Sequence, residues 1–534
     1  MPAISLLTAL LTVSPAPDSV PLYANLGTHR VPITTRVAAA QRYFDQGMRL
    51  AYGFNHAEAI RAFTEAARLD ADCAMCYWGI AYAHGPHVNA GMDSAAGVAA
   101  YAAMQEAVKR RAGASPRERA YIGALARRYA SVPPADRAAL DSAYARGMAD
   151  VVREHSSDLD AAALYAEALM DLRPWNYWHK DGSPYPGTTE IIAQLERVIA
   201  ANPHHPGACH FYIHAVEAVQ PEKAVPCADR LARLMPGAGH MVHMPAHIYI
   251  RVGRYSDAID ANVHAVHTDE VFIEGQKPQG IYPIAYYPHN YHFMSFAATL
   301  AGRSATAIEA ANKTAAATSA DVARQVPFVE PYLHYPYLTL VTLGRWDELL
   351  AMALPPADLS YSRAMGYYAR GVAFAAKARW AEAQAALDTL SQIAATGTRG
   401  YMSAGWVTPS TNLEIATHAL TGEIAARQGR LDEAVTHFAA GMTLEDEQLY
   451  TEPPDWYYPL RHSLGAVLLK AGKPAEAEQL YRDDLKRFPE NGWSLFGLAQ
   501  ALRAQRKPTE AAQVEQRFRQ AWRGADVTLT ASRF

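Results

Sequence analysis

The sequence predicts an all-α protein, an α-solenoid of stacked helix pairs with irregular, aromatic-rich loops between repeats. Three observations predict it. Half of the 534 residues are apolar, only 19% are charged, and alanine recurs throughout. One short unit returns along the chain, as in "GFNHAEAIRAFTEAARLDAD" from Gly53, "GRYSDAIDANVHAVHTD" from Gly253 and "GRLDEAVTHFAAGMTLED" from Gly429. Aligned on the small residue opening its second helix, the unit is anchored at Ala59, Ala224, Ala258, Ala307, Leu349, Ala383, Ala434, Ala477 and Ala511, and three of the intervals are 34 residues. A chain this long exceeds one compact core, and repetition resolves that by letting each pair bury its apolar face on the next.

From the N-terminus, "ISLLTALLTV" followed by "SPAPDS" reads residues 1–18 as a signal peptide or a disordered tail. No Lys or Arg precedes the apolar run, and Pro17 sits badly after a cut at Ala16. Export to the periplasm or outside is the expectation, with the cytoplasm as the alternative. Residues 19–200 form an N-terminal helical region with irregular loops, 201–350 a histidine-rich set of repeats carrying the site, and 351–534 a scaffold of regular repeats. In the first region Cys73 and Cys76 form a CxxC, but Tyr77 follows where a haem-attachment motif needs His. They read as small buried residues of a helix. Cys209 and Cys227 fall on successive predicted helices and are expected to pair if the chain is exported. In the last region the exceptions to plain packing are His462 and the cluster Trp456, Tyr457 and Tyr458.

Intervals longer than 34 are as informative. They are 49 residues from Ala258 to Ala307, 42 to Leu349, 51 from Ala383 to Ala434 and 43 to Ala477. The extra residues lie before the next unit's first helix, in "GIYPIAYYPHNYH", "VEPYLHYPYL", "GYMSAGWVTPS" and "LYTEPPDWYYPLRH". Loops held by a scaffold are where binding usually resides.

The unit "YFDQGMRLAYGFNHAEAIRAFTEAARLD", with Gly47, Ala59, Ala66 and Phe63, and the closing prolines Pro236 and Pro489, resemble the tetratricopeptide repeat (TPR). The resemblance covers roughly residues 40–525, more loosely near 85–200. "QRYFDQG", "CAMCYWG", "YIHAVE" and "HMPAHIYIRVGRY" are similar to motifs of a largely uncharacterised group of histidine-rich bacterial TPR proteins. The resemblance implies an α-solenoid whose first helices line a concave groove that takes the ligand. It implies no reaction.

Twelve of the 21 histidines lie between residues 204 and 334. Fifteen residues before an anchor stand His243, His292, His334 and His462; eighteen before stand His240 and His289, and eleven before stands His247. Those offsets are i, i+3 and i+7, one face of a helix. The preceding unit adds "CHFYIHAVE", with His210, His214 and Glu217. An i, i+4 histidine pair can chelate a metal from one helix. His210, His214, His240, His243, His247, His289, His292 and His334 are therefore the candidate metal ligands. Glu217 is the candidate catalytic carboxylate, a ligand beside His214 or an outer group orienting a histidine. Against this stands a plainer reading, in which neutral histidines satisfy backbone groups or stack on tyrosines.

"DLRPWNYWHKDGSPYPGT" places Trp175, Tyr177 and Trp178 in a Pro/Gly-rich loop, and "YAHGPHVNAGMD" has a similar, weaker flavour. These three aromatics, with Tyr286, Tyr287, Tyr335 and Arg251, are the candidate substrate-binding residues, Arg251 facing a ligand carboxylate or Glu217. A net charge of -4 gives no electrostatic reason to expect nucleic acid, and no apolar run is long enough to span a membrane. Two functions follow. The first is a metalloprotein holding copper, zinc or iron, either a hydrolase or an oxidoreductase acting on a small-molecule or peptide ligand. The second is a scaffold that binds a peptide or a protein partner in the same groove.

Overall fold

The computed structural model describes residues 20–278, 280–396 and 409–534. The signal-peptide reading of residues 1–18 and most of "GYMSAGWVTPS" lie outside them. Among the described residues the fold is all-helical, with two isolated bridges, His87 to Ala90 and Trp178 to Pro184, in place of any strand. No helix among them is long and apolar enough to cross a membrane.

The described residues form two compact units. The N-terminal unit comprises 20–248 and 264–282; the C-terminal unit comprises 249–263 and 283–534. The boundary therefore runs through the histidine-rich segment 201–350.

In the N-terminal unit the first pair is Ala38–Tyr52 and His56–Leu69, followed by Ala74–Ala83. Small residues set their spacing. A Cβ on Gly47 or on Gly79 would lie 2.4 Å from the Phe63 ring, so the two glycines clasp one aromatic between consecutive first helices. The C-terminal unit repeats the device: Gly465 and Gly497 clasp Tyr481 with hypothetical Cβ contacts of 2.4 and 2.3 Å. That is the physical content of the repeat's small and aromatic positions.

Turn chemistry follows the same register with one informative departure. Five residues before the anchors, Gly253, Gly302, Gly344, Gly429 and Gly472 all take left-handed φ, as helix ends favour. In the first unit the expected turn glycine, Gly53, has φ -97°, and Phe54 takes the left-handed position at φ 56°. Ala378 and Arg506 do so in two other units. A non-glycine there costs about 1–2 kcal/mol, and at Phe54 that strain delivers a ring to the site described below.

The cysteines differ from expectation in both places. Cys73 and Cys76 are joined by a disulfide at the start of Ala74–Ala83. Their three-residue separation at a helix start brings the sulfurs together. Cys209 and Cys227 are buried free thiols, not a disulfide.

Candidate metal centre

The helix Pro206–Val216 starts with Pro at its first position and with His205 as cap. Four residues apart on one face, it carries His210 and His214, both buried. Each ring has its Nδ1 proton committed. His210 donates to the carbonyl of Tyr52 at 2.6 Å, and His214 to Glu217 Oε1 at 3.1 Å. A neutral imidazole has one proton, so each Nε2 presents a lone pair. Both Nε2 atoms are buried and meet no hydrogen-bond partner among the described residues. His240, on Gly239–His243, brings a third ring nitrogen, and the three ligand atoms lie within 4.8 Å of one another.

Glu217 ties this set to a second. Its other oxygen accepts from His247 Nδ1 at 2.7 Å, and His247 Nε2 stands 3.0 Å from His243 Nε2. Glu217 is buried, with both oxygens occupied by imidazole protons, the arrangement that fixes tautomer and ring direction around metal sites. Burial keeps His210 and His214 neutral: it pushes His214 down to about 3 and, with His214 and His243 nearby, holds His210 well below its ordinary range. A set of neutral imidazoles suits zinc, copper or iron and lacks the thiolates of softer sites.

Aromatic rings wall this set. Trp175, itself at left-handed φ 61°, lies edge-on to His214 with centroids 4.9 Å apart and donates its indole N–H to Asn89 Oδ1 at 3.1 Å. The two loop motifs of the sequence thus meet here. Trp178 anchors the same loop by donating to the carbonyl of Ala215, and Tyr177 is buried beside it. Phe54 sits amid the histidines, 4.5 Å from His87, 4.4 Å from His210 and 5.6 Å from His240. His87 belongs to the weaker loop motif "YAHGPHVNAGMD", whereas no motif in the sequence marks Phe54 or His56 as site residues. The one signal for Phe54 in the sequence is a bulky residue at a register position that other units give to glycine.

A third cluster shows why distance alone does not make a metal site. His29, Asp160 and His205 bring ligand atoms within the same 4.8 Å limit, beside a cavity of about 410 Å³. Asp160 Oδ1 accepts from the Tyr52 hydroxyl at 2.7 Å and contacts His29 Nε2 at 2.9 Å and His205 Nε2 at 3.2 Å. Yet His205 Nδ1 accepts the Ala208 N–H at 3.1 Å as the helix cap. Its single proton must then be on Nε2, which leaves no lone pair for an ion. Burial raises the Asp160 carboxyl, but hydrogen bonds from His205 and His29 outweigh it and hold the group far below the usual carboxylate range. This is a structural hydrogen-bond network around one carboxylate.

The remaining candidates belong to the C-terminal unit. His292 packs edge-on to Tyr335 at 4.1 Å, and burial pushes it down to about 3. His334 donates from Nδ1 to the Ser362 hydroxyl at 3.0 Å and meets Tyr361 edge-on. His289 stands edge-on to Phe293, and Tyr287 to Tyr291. Tyr286 is buried just before Tyr287–Leu300. Arg251 donates to the carbonyl of Arg487 at 2.9 Å, and the carboxylate beside it is Glu452, at 3.7 Å.

No protein-family model matches the chain, and no curated protein matches it. Among solved structures the chain is similar to the human IFIT1 dimer with PPP-AAAA, at 11% identity and TM-score 0.35 over 91% of each chain. It is also similar to the APC/C hetero-tetramer Cut9-Hcn1, at 12% identity and TM-score 0.29, covering 92% of this chain and 76% of that one. Likeness at this level carries no ligand or partner over to the present chain.

Proposed function

We propose that the N-terminal unit is a metal-binding module that holds a transition-metal ion on His210, His214 and His240, with Glu217 as the carboxylate that orients them. The observation that carries this reading is the pair of buried Nε2 atoms on His210 and His214, each with its Nδ1 proton tied down and no partner of its own. An unsatisfied buried acceptor costs about 1–3 kcal/mol, and two on one helix face, aimed at a third histidine, are best repaid by an ion. Three protein ligands leave a tetrahedral ion one open position. A water or a substrate oxygen bound there would be polarised by the metal.

Trp175, Tyr177 and Trp178 would then wall the open side, in the substrate-binding role, and metal-dependent hydrolysis or oxidation is the chemistry such a centre supports. Arg251, Tyr286, Tyr287 and Tyr335 are assigned to ligand contacts made by the C-terminal unit, and His289, His292 and His334 to its histidine face. The test is elemental analysis of untagged protein, purified without chelator and dialysed against metal-free buffer. Retained copper, zinc or iron that is lost in His210→Ala supports the reading. No retained metal, even after reloading, overturns it and returns the chain to the class of peptide-binding helical scaffolds.

A further inference from the structure

The geometry points to a second metal position beside the first, on His243 and His247, making the centre binuclear. The inference rests on the metal reading above but goes beyond it in number and in ligand class.

Consider first whether one ion can use all five imidazoles. The ligand atoms of His210, His214 and His240 form one group within 4.8 Å, and neither His243 nor His247 joins it at that limit. Ligands of one ion at about 2.1 Å are separated by at most about 4.2 Å. The five rings therefore do not share one centre.

The His243–His247 pair has a spacing of its own. Their Nε2 atoms are 3.0 Å apart and hydrogen-bonded, His247 accepting because its own proton is on Nδ1 and His243 donating. An ion between them would need that proton moved to His243 Nδ1, and at metal–nitrogen distances of 2.0–2.1 Å the spacing spans an angle of about 91–97° at the ion. The two rings are nearly perpendicular, at 81°, with centroids 4.9 Å apart. They stand four residues apart, as His210 and His214 do.

Glu217 supplies the link. One carboxylate oxygen accepts from His214 in the first set and the other from His247 in the second. Each contact places the ring proton on Nδ1 and turns the Nε2 lone pair toward its own set. A carboxylate serving one ion needs only one such partner. Glu217, fully buried between two imidazoles, is placed to orient both halves.

Charge decides what such a centre would take. The histidines are neutral ligands, so two dications beside one carboxylate leave surplus positive charge in a buried site. An anion has to balance it. The ligand class is thus an oxygen anion bridging or capping the ions, either hydroxide or the oxyanion group of a substrate.

The experiment is metal loading of the full chain with Zn(II) alone, read by native mass spectrometry, then with Cu(II), read by electron paramagnetic resonance. Wild-type protein is expected to bind two equivalents. His243→Asn should keep one and His210→Asn should keep one, while Glu217→Gln should lower the affinity of one of the two positions by at least tenfold. Cu(II)-loaded wild type should lose most of its isolated-ion signal through coupling, and His243→Asn should recover it. A single equivalent in the wild type, lost in His210→Asn and kept in His243→Asn, overturns the second position and leaves the first standing. Absence of any bound metal overturns both. Because the wild-type stoichiometry needs no variant, a misfolded mutant does not shield the proposal.

Discussion

Glu217→Gln is the most discriminating perturbation of this protein. The side chain is buried and its two oxygens accept from His214 Nδ1 at 3.1 Å and His247 Nδ1 at 2.7 Å. Glutamine has nearly the same shape, but its amide offers one acceptor and one donor. Whichever histidine meets the amide N–H must accept it at Nδ1, so its own proton moves to Nε2. That ring then presents a proton where it had presented a lone pair. Loss or reorientation of such outer partners typically costs 10–100-fold in metal affinity, or about 1.4–2.8 kcal/mol. The fold should be unaffected, since the amide still fills the same space. Competition of the protein against a chelator of known affinity measures the first quantity. Long-range imidazole nitrogen spectra of the metal-free protein measure the second, with His214 and His247 expected as Nδ1–H tautomers in the wild type. Unchanged affinity in Glu217→Gln, or Nε2–H tautomers in the wild type, would refute the reasoning.

Three further outcomes are expected. Gly79→Ala should destabilise the N-terminal unit by about 1–3 kcal/mol through overpacking, because its Cβ would meet the Phe63 ring at 2.4 Å; adding Phe63→Leu should restore part of the loss in a urea titration. His205→Ala should leave metal content unchanged while lowering stability by about 1–3 kcal/mol, since it removes a helix cap and a donor to Asp160; loss of metal in this variant would contradict the tautomer argument. His56 is partly buried, and desolvation pushes it down to about 4. Its folded-state value lies below the unfolded one near 6.5, so its contribution is intact above pH 6.5 and is lost as pH falls toward 4, at about 1.4 kcal/mol per pH unit. The stability difference between wild type and His56→Asn should follow that slope, and parallel curves would contradict it.

Repeat architecture was legible in the residues themselves, because it rests on local and nearest-neighbour physics. Small residues at Gly47, Ala59 and Gly79 let helices approach, Phe63 fills the gap, and glycine at a fixed register ends the first helix. The i, i+4 pairing of His210 with His214 and the proximity of Glu217 were legible for the same reason: one helix fixes them. So was the suspicion attached to Trp175, although not its partner Asn89.

Tautomers were decided elsewhere in the chain. His210 became ligand-ready because the carbonyl of Tyr52, 158 residues away, takes its proton, and His247 because Glu217, 30 residues away, takes the other. His205 is closed to a metal because it caps its own helix. The cysteines divide along the same line. Cys73 and Cys76 pair at short range, whereas Cys209 and Cys227, on successive helices, touch as buried free thiols without forming a disulfide. The sequence by itself determined which helices form and which histidines share a face. Only the tertiary structure decided which ring nitrogens keep a lone pair, because a proton's place on an imidazole depends on the acceptor that long-range packing brings to it.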